Sequence, residues 1–250
     1  MMGRETRDAP GGVDQSLFAT THWSVVLATA NQDSAQAGAA LEQLCRTYWY
    51  PLYCYVRRCG YGREDAQDLT QAFFAHLLRK DFLSGVGPEK GRFRAFLLAC
   101  LKHFLTDEWE KARTVKRGGA VPAVTLDWEQ AEGRYRLEAR TEASAETLYE
   151  RRWALDLLSG VLNHLREEAV ASGKQTVFDQ LQGCLLGERP AETYAQLGAR
   201  LGLSETAVKV TVHRLRQRYR ELLREDIAHT VAQPEEVEEE MHYLFEVVSR

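Results

Sequence analysis

No apolar run in this 250-residue sequence is long enough to span a bilayer. The longest, around Phe96 to Leu101, falls far short of the roughly twenty residues required. Residues Met1 to Gly12 are polar and lack the apolar centre of a signal peptide. The expectation is a soluble, cytoplasmic protein with no membrane partner. Five cysteines occur, Cys45, Cys54, Cys59, Cys100 and Cys184, and none forms a Cys-x-x-Cys pair or has a histidine at metal spacing. They read as reduced thiols, with no zinc site and no cofactor. Internal repeats and low-complexity runs are missing as well.

The patterns of catalysis are also lacking. Gly85-Val-Gly87-Pro-Glu-Lys-Gly91 misses the dinucleotide-binding spacing by one and follows a helical segment rather than a strand. Gly173-Lys174 has neither the upstream glycine nor the Ser/Thr of a phosphate loop. No His-Glu-x-x-His and no nucleophile elbow is present. The expectation is a protein that is not an enzyme, with a metal-dependent nuclease using clustered acids as the enzymatic rival. Strand alternation is scarce too, Val121 to Leu126 being the best candidate with Pro122 against it, so the fold class expected is all-α.

What the sequence does contain is helical period. Leu41, Leu44, Cys45, Tyr48, Leu52, Tyr55 and Val56 recur at three and four between Ala39 and Arg58, and Gly60 and Gly62 end the pattern. Glu64 to Lys80 and Arg92 to Ala112 repeat the theme. Gly118, Gly119 and Pro122 mark a boundary. The organisation expected is two helical domains joined by a linker. It runs as a disordered N-terminus at 1–20, a first domain at 21–117, a linker at 118–145, a second domain at 146–232 and an acidic amphipathic tail at 233–250. The tail's glutamates either cover a basic helix, with Leu244, Phe245 and Val248 as anchors, or the tail completes the second domain's core.

With 44% hydrophobic residues the chain can bury a core, and its net charge of −4 hides a strong asymmetry. From Lys209 to Arg220 there are basic residues and no acid. This stretch follows Tyr194 to Ser204, where Gly198 suits a close helix crossing, Gly202 suits a turn with positive φ, and Ser204 suits an N-cap. The pattern reads as a helix-turn-helix. Thr206, Lys209, His213, Arg214, Arg216 and Arg218 are its candidate DNA contacts, against the alternative of a solvated helix paired with acids.

Two further constellations lie in the first half. Asp65, Asp68 and Gln71 share one stripe of a helix, which suits docking on a partner helix or is an ordinary surface face. Between Gly91 and Arg117, aromatics interleave with cations: Phe93, Phe96, Phe104 and Trp109 among Arg92, Arg94, Lys102, Lys111 and Arg113. Single-stranded nucleic acid is held in this manner, although such aromatics also serve as core.

In this order, the three constellations resemble the extracytoplasmic-function sigma factors of bacterial RNA polymerase. The segments carrying the resemblance are Asp65-Ala-Gln-Asp68-Leu-Thr-Gln71-Ala-Phe-Phe74, Phe93-Arg-Ala-Phe96 with Asp107-Glu-Trp-Glu-Lys-Ala-Arg113, and Tyr194 to Lys209. The resemblance implies a transcription initiation factor whose partners are core RNA polymerase and promoter DNA. Asp65, Asp68, Gln71 and Phe74 would bind polymerase. Lys102, His103, Trp109, Lys111 and Arg113 would lie at the minus-ten element, and the helix-turn-helix at the minus-thirty-five element. His103 stands where the family usually has Asn, and Val210-Thr211 where many members carry Ser-Arg. A serine/threonine kinase or an anti-sigma regulator is the expected controller, with Thr70 a phosphorylation candidate. The rival of another class is a helix-turn-helix regulator that acts without core polymerase.

Overall fold

The structure is a computed structural model that describes residues 35–77, 87, 91–112, 127–138, 143–185, 192–231 and 233–249. Among these residues the secondary structure is helical, with no strand, as an all-α chain requires. The N-terminal segment 1–20, the strand candidate at 121–126 and Arg113 lie outside the described residues.

Helix α1 (Ala35–Arg58) is the centre of the molecule. Tyr50, Leu52, Tyr53, Cys54, Tyr55 and Val56 are all buried, so its second half is enclosed on every side, the mark of a core helix rather than a surface one. Pro51 sits inside it without ending it. At its C-terminal end Gly60 has φ +98°, a conformation suited to glycine. Helix α2 (Arg63–Leu77) follows, with Glu64 and Asp65 in its first turn, where acids oppose the helix dipole favourably. Helix α3 (Phe93–Ala112) buries Phe93, Leu97, Leu98, Leu101, Phe104 and Leu105.

Residues 118–145, expected to be a linker, contain helix α4 (Trp128–Glu138), and it is packed into the core. Trp128 meets Trp49 at 5.3 Å and Tyr53 at 5.5 Å between ring centroids, and Tyr135 meets Tyr53 at 6.4 Å. Beneath them Glu132 is buried. It accepts hydrogen bonds from Tyr53 Oη at 2.5 Å and from Arg57 Nε at 3.1 Å and Nη2 at 3.0 Å. Burial opposes ionisation of this carboxyl, but the hydrogen bonds from Arg57 and Tyr53 outweigh it and hold its pKa below the ordinary value. The segment looked like a linker because its inward apolar side chains are few, Trp128, Ala131 and Tyr135, and the inward residue among them, Glu132, is an acid.

Helix α5 (Ala145–Ala171) runs 27 residues from an N-cap at Ser144, whose hydroxyl accepts from Thr147 N. It packs along α1 and also on helix α8 (Glu205–Ala228) and helix α9 (Glu236–Ser249), the short helices α6 (Gln175–Leu181) and α7 (Tyr194–Leu201) lying between. One buried cluster therefore runs from Leu44 and Tyr48 through Tyr149, Trp153 and Leu157 to Leu222, Ile227 and Leu244. The division into a domain at 21–117 and another at 146–232 does not separate the core: α5, expected in the second, buries its face against α1 of the first. The tail is part of the same core. Met241, Leu244 and Val247 are buried, and Glu240 is fully buried against Arg94.

Candidate nucleic-acid interface

The basic stretch is carried by a pair of helices with its own small core. Helix α7 is opened by a reciprocal capping box: Thr193 Oγ1 accepts from Gln196 N at 3.3 Å, and Gln196 Oε1 accepts from Thr193 N at 2.8 Å. It closes on Gly202, left-handed at φ +67°, and Leu203 N donates to Gly198 O at 2.9 Å. A Cβ on Gly198 would stand 2.6 Å from the Leu203 carbonyl oxygen, so the turn folds back over this residue and admits no side chain. Ser204 then caps α8, its hydroxyl accepting from Ala207 N at 3.1 Å. Leu181, Cys184, Leu197, Val208 and Val212 fill the space between α6, α7 and α8 as a second buried cluster.

Outside this cluster, α8 exposes Thr206, Lys209, Val210, His213 and Arg214. Lys209 Nζ lies 2.6 Å from Glu205 one turn earlier, an exposed pair that holds the amine only loosely. The described residues give His213 and Arg214 no ion pair. Arg216 and Arg218, expected beside them, are engaged elsewhere. Arg216 donates from Nε and Nη2 to the Cys184 carbonyl oxygen at 3.1 and 2.6 Å, tying α8 to the turn after α6. Arg218 lies between three carboxylates, with Nη2 2.7 Å from Glu168 and Nη1 3.4 Å from Glu221 and 3.3 Å from Glu225. Its hydrogen bonds lower the pKa of Glu168. Arg218 therefore fastens α8 to α5, and its charge is matched within the chain. Of the cations on this surface, Lys209, Arg214 and Arg220 are exposed, and none is bound to another helix among the described residues.

The segment around α3 divides differently from expectation. Phe93 and Phe104 are buried, and Arg94 is 4% exposed. Arg94 donates to Glu150 at 2.9 Å and to Glu240, stacks on Trp153 at 3.9 Å, and has its own carbonyl hydrogen-bonded by Tyr149 Oη. Arg92 Nε lies 2.7 Å from the other Glu240 oxygen, within ion-pair range but not aligned for a hydrogen bond. These residues belong to the core. Lys102, at 2.8 Å from Glu146, His103 and Trp109, 55% exposed, remain on the surface. Lys111 is on the last turn of α3, and its side chain lies outside the described residues.

On α2, Asp65 and Asp68 are exposed and Gln71 is half-buried. Phe74 is a core residue at 7% exposure, with its ring 6.2 Å from Phe73, so it is not part of a docking surface. Thr70 is fully buried and donates its hydroxyl to the Ala66 carbonyl at 2.7 Å. A kinase cannot reach it while α2 is folded, and Thr70 is a packing residue.

Sequence reasoning missed both buried carboxylates. Glu240 was legible in one respect: it shares the phase of Met241, Leu244 and Val247, and an acid on the apolar face of a helix calls for a buried cation. Among the described residues no three His, Cys, Asp or Glu side chains group to hold a metal, and no helix is long and apolar enough to cross a membrane. No family model matches the chain, and neither the curated proteins nor the solved structures yield a match.

Proposed function

We propose that this chain is a transcription initiation factor that binds core RNA polymerase and directs it to promoters. In this reading Tyr194 to Ala228 is a helix-turn-helix. Its second helix enters the major groove of the minus-thirty-five element through Thr206, Lys209, His213 and Arg214. Lys102, His103 and Trp109 face the minus-ten element, and Asp65, Asp68 and Gln71 face polymerase. The observation that carries the reading is the helix pair itself. Two caps, a left-handed Gly202 and a side-chain-free crossing at Gly198 fix α8 so that one acid-poor face is presented outward. A rigidly presented helix of this kind is how major-groove readers position base-contacting side chains. The order of the three segments resembling extracytoplasmic-function sigma factors supplies the polymerase partner.

A specific observation favours a second reading, a helix-turn-helix regulator that acts on DNA without polymerase. The continuous core through α1, α5, α8 and α9 already holds both halves at a fixed spacing, which a polymerase would otherwise have to impose. Run-off transcription on a promoter library, with core polymerase and the full chain, separates the two. Promoter-specific initiation dependent on the chain supports the initiation factor. A sequence-specific footprint by the chain alone, without initiation, supports the regulator.

A further inference from the structure

Three valines follow one another at every second position of α8, and they do not share a fate. Val208 and Val212 are 0% and 2% exposed and fill the small core, whereas Val210 is 43% exposed. About 200° of helix rotation separates Val210 from each of them, so it stands on the side opposite the core. It belongs to neither buried cluster nor to the side chains packed on them. Nothing in helix propensity calls for a β-branched residue at an exposed interior position, where alanine or lysine is preferred.

The residues around Val210 give it a setting. Thr206, Val210, His213 and Gln217 fall at successive i+4, i+3 and i+4 steps along one stripe, and all are exposed. Of the cations beside the stripe, Arg214 and Arg220 are exposed and the described residues give them no ion pair, whereas three others are held within the chain. Lys209 reaches back to Glu205, Arg216 is bound to the Cys184 carbonyl and Arg218 to Glu168. The Thr211 hydroxyl is spent on the Ala207 carbonyl at 2.8 Å, so it does not compete for a base. The centre of the outward face is therefore a pair of methyl groups with a threonine and a histidine before and after.

Base edges in the major groove offer donors, acceptors and a single apolar group, the 5-methyl of thymine. We propose that Val210 is a specificity-determining residue that selects thymine by packing on that methyl, with Thr206 and His213 reading the neighbouring pairs. This rests on the reading of α8 as the major-groove helix. Substitution by alanine removes the contact and leaves the fold intact, since Val210 supports neither core.

The test starts from duplexes selected out of a randomised library by the wild-type full chain with core polymerase. Each thymine of the selected element is then replaced singly by deoxyuridine, which deletes the methyl and leaves every hydrogen-bonding group in place. The expected result is one position at which the wild type loses about fourfold in affinity, the order of one buried methyl group. Val210→Ala should bind the thymine duplex about fourfold more weakly than the wild type and show no further loss on deoxyuridine. Deoxyuridine tolerated at every position, or equal sensitivity in wild type and Val210→Ala, overturns the assignment of Val210 while leaving the helix-turn-helix reading in place. Recovery of no selected sequence, with or without polymerase, overturns both.

Discussion

The molecule contains two buried clusters that are stabilised in different ways. The larger, built on α1 and α5, relies on mass: Tyr48, Tyr53, Tyr149 and Phe73 are among its fully buried side chains, and two carboxylates, Glu132 and Glu240, are locked in by arginines. The smaller, between α6, α7 and α8, has five buried residues and no buried aromatic. It relies on geometry instead, a capping box, an N-cap serine and two glycines placed where a Cβ or a negative φ would not fit. The lesson is that an exposed helix face can be oriented by backbone devices on little core, provided a large core anchors one of its helices. Regions with few buried apolar contacts are also those that open first.

The largest effect expected from breaking this division is in the large cluster. Glu240→Ala leaves Arg94 buried with Glu150 as its remaining acid, and removing one member of a buried ion pair costs about 3–5 kcal/mol. Denaturant unfolding should show the whole chain destabilised, with α8 melting alongside α1. A loss confined to the C-terminal helix would mean that α9 is an appendage.

Gly198→Ala addresses the small cluster. The new methyl meets the Leu203 carbonyl at 2.6 Å, backbone rather than a yielding side chain, and overpacking of this sort costs about 1–3 kcal/mol. Hydrogen exchange should accelerate in α7 and the first turns of α8 while α1 and α5 keep their protection. Uniform acceleration would show that the two clusters unfold as one.

A sharper contrast lies within the basic helix. Arg218→Ala should lower stability by less than about 1 kcal/mol, the scale of a half-exposed ion pair, and leave the salt dependence of DNA binding unchanged. Arg214→Ala should leave stability unchanged and reduce that salt dependence by about one counterion. If both shift the salt slope equally, the Glu168 pairing does not persist on DNA.

The smallest effect concerns acid. Glu132 and Glu168 both have folded pKa values below their ordinary 4.5. Their contribution to stability is fully present above that value and is lost as pH falls through the lower, folded one. Glu132→Gln should be less stable than the wild type at neutral pH and should show a shallower decline below pH 4.5. A wild type whose stability is level through this range would remove the arginine-held carboxylates as contributors.

How much of this was open to sequence reading differs by element. The periodicity of α1, α2 and α3 and the capping of α7 and α8 could be read because each is signalled locally, by apolar spacing or by one glycine or serine. The packing of α9 was open as one of two alternatives, but the placement of α4 and the burial of Glu132 and Glu240 could not be read, because they depend on Arg57 and Arg94 at 75 and 146 residues' remove. The same blindness applies to Arg216 and Arg218. A run of cations reads as a DNA-facing surface until the carbonyl of Cys184 and the carboxylate of Glu168 are seen beneath two of them.

Helix α8 belongs to both clusters without interruption, Val208 and Val212 in the small one and Tyr219, Leu222 and Ile227 in the large one. The Tyr219 hydroxyl is fastened to the Leu158 carbonyl of α5 at 3.1 Å, with burial pushing its pKa up to about 12. The helix thus works as a keyed shaft. Its exposed end bears on the small cluster through Val208 and Val212, and the compass direction of Val210 and His213 is also tied to where Tyr219 and Leu222 are seated in the body, roughly two to three turns away. Each residue of spacing between the two seats is worth about 100° of heading and 1.5 Å of reach. The length of that span therefore shapes the exposed face of α8 as much as the side chains it carries.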